Sequence, residues 1–201
     1  RQALAKLDSI APSALSNEQN LDRLAFRARL LRECEEFDRG RHELDPTGID
    51  EVLGFLLKEL QRGEDKPKRA ARNIRGLLRD TPRYLGQAAR LVTRPERVWR
   101  GIMTDSFKAS GVFFDAVAGF LQANGRQRSD SSLLAAANRA CQRYHDSILL
   151  KRLAKPGSFA IGAAALQRRI RDELGLDYTV GQVEAVALSE IDRVGVLLRR
   201  A

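Results

Sequence analysis

Histidine and cysteine are scarce in this chain of 201 residues: there are two of each, His42 and His145, Cys34 and Cys141. The cysteines lie far apart in amphipathic stretches, and no Cys-x-x-Cys occurs, so no disulfide framework is indicated. Two buried free thiols are the simplest reading, which leaves the compartment open. A zinc-peptidase motif of the His-Glu-x-x-His kind needs two imidazoles on one helix face and a glutamate to activate water. His42-Glu43 begins that pattern, but position 46 is Pro and the second ligand is missing. Cys141 and His145 are four apart, a spacing that puts two ligands on one face, yet a structural zinc site takes about four. A partly buried His145 with one hydrogen-bond partner is the expectation. A P-loop, a Gly-x-Ser-x-Gly elbow and a Gly-x-Gly-x-x-Gly turn are all missing. Adjacent carboxylates such as Glu35-Glu36 and Asp172-Glu173 point to different parts of a helix. No catalytic residue, metal ligand or cofactor-binding residue is therefore assigned within the chain.

Long apolar runs are also lacking. None approaches the ~20 residues that span a bilayer, so no transmembrane segment is expected. The chain opens on Arg1-Gln2-Ala3 without a signal peptide. It closes on Leu198-Arg199-Arg200-Ala201, inside a helical pattern. Both ends read as cuts through a longer protein, so the missing targeting signal says little about the parent.

What is present is helix-forming. Alanine, leucine and arginine dominate, and all three favour helix. The 43% hydrophobic and 30% charged content is that of a soluble globular protein, and the length suffices for a core without disulfides. Leu4, Leu7 and Ile10 mark a short helix before Pro12. Ser16-Asn17-Glu18-Gln19 has the form of a capping box, and Leu21, Leu24, Ala28, Leu31 and Cys34 then follow at helical steps. Gly40 is a plausible stop, and Asp45-Pro46-Thr47-Gly48 a turn. Ile49, Val52, Leu53, Leu56, Leu57 and Leu60 mark the next helix, ending near Gly63.

Residues 62–68 are a candidate linker. A helix through Ala70, Ile74 and Leu78 is expected to break at Thr81-Pro82, with a new one starting there in an N-cap-then-N1 arrangement. Arg94-Pro95-Glu96 restarts the chain, and Val98, Ile102, Phe113, Val117, Phe120 and Leu121 carry an apolar pattern to Asn124-Gly125. Gly101 and Gly111 are weak points in that pattern. Residues 125–130 are the second candidate linker. Further helices are expected after Asp130, stopping before Pro156-Gly157, from about Ile161 to Leu174, and after Thr179-Val180-Gly181-Gln182, a second capping-box match. No period-two stretch argues for a sheet. The expectation is all-α: seven to nine helices, forming a single helical domain or a fragment of a larger protein over residues 1–201.

The net charge of +9 is localised. Between Lys66 and Arg100 there are eleven Lys or Arg against two acids, Asp80 and Glu96, so this segment alone carries +9. Within it Lys68, Arg72, Arg75 and Arg79 step by four, three and four, which at about 100° per residue confines them to roughly 60° of a helix surface. Ala71, Ile74 and Leu78 form an apolar stripe beside them. One reading is an anion-binding surface for phosphate groups. The other is a solvated face whose arginines pair with acids elsewhere. Sequence-reading nucleic-acid modules add stacking aromatics; here only Tyr84 and Trp99 are nearby, which disfavours nucleic acid as partner.

Three segments, in order, resemble a known family. They are Arg75-Gly-Leu-Leu-Arg-Asp-Thr-Pro-Arg-Tyr-Leu-Gly-Gln-Ala with the Pro95-Glu-Arg-Val-Trp step; Gly111-Val-Phe-Phe; and Phe159-Ala-Ile-Gly162 running through Leu166-Gln-Arg-Arg-Ile to Leu174-Gly-Leu-Asp-Tyr-Thr179 and on to Ile191. The set resembles the helical N-terminal region of the bacterial domain-of-unknown-function family eight-eight-five. Members of that family look like gluzincin-type zinc peptidases and are often exported or lipid-anchored. In them the His-Glu zinc site lies further toward the C-terminus than anything here, so no ligand transfers to a numbered position. The resemblance implies a helical scaffold or channel wall beside a substrate path, with the remainder of the parent chain as partner, zinc only in that remainder, and a peptide as substrate. A binding module using residues 66–100 for nucleic acid or anionic lipid, and a helical domain with a protein partner, are the alternatives.

Overall fold

The computed structural model describes residues 1–200, the side chain of Arg200 excepted, so Ala201 at the end of the closing helical pattern lies outside the described residues. Among the described residues the chain is all-α, with nine α-helices, one short 3-10 turn at Pro12–Ala14 and no strand. The helices are α1 (Gln2–Asp8), α2 (Asn17–Asp38), α3 (Arg41–Leu44), α4 (Gly48–Arg62), α5 (Pro67–Leu91), α6 (Arg97–Ala123), α7 (Asp130–Leu149), α8 (Ala163–Asp172) and α9 (Val180–Arg200). No helix is long and apolar enough to cross a membrane among the described residues.

Two compact units result. One is Gly40–Phe159; the other joins Arg1–Arg39 to the chain from Ala160 onward. In the Gly40–Phe159 unit, α4, α5, α7 and α6 form a ring in which each packs on the next. Ile49, Leu56, Ile74, Leu78, Met103 and Leu121 are fully withdrawn from water between them, each such burial contributing about 1.5–3 kcal/mol. The α5–α6 connection is pinned by α3: the Thr93 and Arg94 amides donate to the Glu43 carbonyl at 3.0 Å, and the Glu96 amide donates to the Leu44 carbonyl at 2.8 Å. Residues 62–68 and 125–130, the linker candidates, hold the α4–α5 and α6–α7 turns, both inside this unit.

Two expectations need correction. The break at Thr81-Pro82 does not occur, because α5 runs unbroken with Pro82 inside it. Proline removes the amide that would bond the Leu78 carbonyl, but Leu78, Thr81 and Leu85 are buried on both sides of it and hold the two halves in one helix. The Thr81 hydroxyl donates to the Leu77 carbonyl at 2.8 Å instead of capping a new start. In α6, Val98 and Ile102 are exposed, and the buried row is Met103, Ser110, Phe114, Val117 and Leu121. Gly101 and Gly111 lie within that unbroken helix.

The other unit is sparsely packed. Both capping boxes form: the Gln19 amide donates to Ser16 Oγ at 3.2 Å, and the Ser16 amide to Gln19 Oε1 at 2.9 Å; Gln182 and Thr179 repeat the exchange at 3.3 and 2.8 Å. Yet α2 buries only Ala28, with Leu21 and Leu24 exposed. Three ion pairs link α2 to α8 and the residue after it, Arg32 to Glu173 at 2.9 Å, Arg168 to Glu35 at 2.6 Å and Arg169 to Glu36 at 3.1 Å, while α8 buries Ala165 and Ile170.

Candidate functional site

Helix α5 starts with Pro67 in its first turn, where proline's fixed φ suits a helix start, and that turn holds no acid. From there Lys68, Arg72, Arg75 and Arg79 line one recess together with Asn124, Gly125 and Gln127 of the α6–α7 turn. The four cations singled out by their spacing thus do share a surface, but they are not equivalent.

Arg75 is buried and committed. Its Nε donates to Asp130 Oδ1 at 2.7 Å, and one Nη donates both to Asp130 Oδ2 at 3.0 Å and to the Gly125 carbonyl at 2.7 Å. Asp130 also accepts from the Gln127 amide at 2.8 Å. The bidentate hydrogen bonds hold the Asp130 carboxyl below the usual carboxylate range and raise Arg75 above its ordinary value, against the opposing effect of burial. Arg75 and Asp130 therefore fasten the α6–α7 turn to α5, and the charge of the arginine is met by that carboxylate. Gly125 takes the positive φ of +92° that this turn requires.

Lys68, Arg72 and Arg79 are exposed. Among the described residues no hydrogen bond or ion pair engages them. Elsewhere in the basic segment Arg94 reaches Glu43 at 3.3 Å and Arg83 lies 3.9 Å from Asp80. The pairing reading thus holds for Arg75, while three charges of the row remain without a counter-ion. Asp130 and Gly125 stood in the sequence only as marks of a turn; 55 residues separate Arg75 from Asp130, and helical spacing cannot connect positions that far apart.

The remaining sequence candidates resolve as structure. His145 stacks on Phe107 with ring centroids 4.3 Å apart, and its Nδ1 is 3.1 Å from Asp146. Cys141 is in the core, where burial pushes its thiol up to about 11. Pro46 is buried, and its carbonyl accepts from the Tyr144 hydroxyl at 3.0 Å. Burial raises both Tyr144 and Tyr84, the latter also bonded to Glu51, so neither phenol ionises readily. No group of three or more His, Cys, Asp or Glu side chains is placed to hold a metal ion among the described residues. Comparison with protein-family models, with curated proteins and with solved structures gave no match.

Proposed function

We propose that the chain is a non-catalytic helical scaffold and channel-wall region of a zinc-peptidase-like protein of family eight-eight-five, packing against the remainder of that protein. The observation that supports this reading is α9. None of its described residues is buried, yet Val186, Ile191, Val194, Leu197 and Leu198 recur along it at helical steps and stand in water. At about 100° per residue these five lie within roughly 140° of the helix surface, while the exposed Leu188 and Val196 fall outside that arc. An apolar face of that width is one that another surface covers. The family resemblance supplies the occupant: the zinc-bearing half that follows in such proteins, which would carry the metal and meet the peptide.

Hydrogen exchange tests the reading. In the chain alone, amides of residues 183–198 should exchange rapidly; joined to the C-terminal remainder of the parent, they should be protected. Equal exchange in both would sink the docking claim. Peptidase turnover by the chain alone with added zinc would sink the non-catalytic one.

A further inference from the structure

The α5 recess carries an inference that does not depend on the scaffold reading. We infer that Lys68, Arg72 and Arg79 form a binding site for a linear phosphate polyanion, an oligophosphate chain whose successive phosphoryl groups meet successive cations.

The three side chains are exposed and unpaired among the described residues, on the rim of one recess. Its lining includes no acid and no apolar side chain. Like charges four apart on a helix repel, and α5 offers no acid in its first turn to offset them. An anion relieves that repulsion. The recess is also prearranged. Arg75 fixes the α6–α7 turn as its wall by donating to the Gly125 carbonyl. In front of Gly125 the space is open, since an added Cβ there would meet nothing within 4 Å.

Geometry selects the ligand. With 1.5 Å rise per residue, Lys68 and Arg72 are about 6 Å apart along the axis and Arg72 and Arg79 about 10 Å. A single phosphate reaches one end of such a row; a chain of them follows it. Each guanidinium presents a fork that matches two phosphoryl oxygens. A nucleic-acid strand would also need a surface for its bases. Tyr84 is bonded to Glu51 and Trp99 lies under Arg41, with the guanidinium 5.2 Å from its ring; neither lines the recess.

Titration calorimetry with inorganic polyphosphate, inorganic phosphate, a single-stranded DNA oligonucleotide and phosphatidylserine vesicles tests this across a salt series. Polyphosphate should bind most tightly per phosphate, with log affinity falling against log salt at a slope of about −2 for three neutralised phosphates. Arg72→Glu with Arg79→Glu should weaken it on the order of 100-fold, and the glutamine pair by less. Neither arginine makes a structural contact, so circular dichroism should be unchanged. Arg139→Glu with Arg143→Glu, exposed on α7, makes the same change in net charge and should leave binding nearly intact. Equal loss from both pairs, no binding at low salt, or tighter binding to DNA or vesicles than to polyphosphate would overturn the inference.

Discussion

The Arg75–Asp130 pair is the sharpest place to test this account of the Gly40–Phe159 unit. Arg75 is 8% exposed and Asp130 5%, and the pair makes three short hydrogen bonds that tie α5 to the α6–α7 turn. Asp130→Ala strands a guanidinium out of water, which should cost about 3–5 kcal/mol. Asp130→Asn keeps an acceptor for the Gln127 amide but loses the charge, so about 1.5–3 kcal/mol is expected. Urea unfolding followed by fluorescence reads this unit selectively, because the one tryptophan of the chain, Trp99, lies within it. The pH dependence has a fixed sign. The carboxyl is depressed in the folded state and titrates near 3.9 when unfolded. Its stabilisation is therefore complete above that value and lost as the pH falls through the folded pKa. The gap between the native chain and Asp130→Asn should close on acidification. A cost below about 1 kcal/mol for Asp130→Ala, the range of an exposed pair, would refute the reasoning.

Three other outcomes follow from the same packing. Gly63→Ala should destabilise by about 1–3 kcal/mol through overpacking, because its Cβ would sit 2.5 Å from the Phe120 ring and 2.8 Å from the Leu60 carbonyl; the same fluorescence assay checks it. Cys141 should resist thiol reagents at pH 8 until the chain unfolds, since it is buried and its thiol is pushed up to about 11, whereas Cys34 is only half-buried; a timed thiol titration should show one early equivalent. Raising NaCl to about 1 M, where screening acts within ~3 Å, should speed hydrogen exchange in α2 and α8, which three ion pairs link, and leave α5 and α7 unchanged.

Signals confined to a turn or two of chain were legible. Ser16 with Gln19 and Thr179 with Gln182 close the boxes their spacing announces. Where tertiary contact decides, local patterns mislead. Pro82 looked like a boundary because a proline suits a first turn, but two buried leucines hold the helix through it. In α6 the polar Ser110 hid the core row; it is tolerated because its hydroxyl donates to the Phe107 carbonyl at 2.7 Å.

Periodicity reports that a helix has a face, and it does not report what meets that face. Leu21, Leu24 and Ala28 on α2 step as regularly as Ile49, Val52 and Leu56 on α4, yet the second set is buried and the first mostly is not. The difference lies in the neighbours: α4 has α5 and α6 against it, while α2 meets short α1 and the charged side of α8. The same logic separates the four cations of α5. Their spacing makes them look alike, and a single carboxylate 55 residues away removes Arg75 from the set. A basic row in sequence is thus an upper bound on a binding site, and the charges that count are those left after the fold has used its own acids. Here that remainder is Lys68, Arg72 and Arg79. The bare face of α9 is the apolar counterpart, the hydrophobic surface left after its own unit has buried what it can.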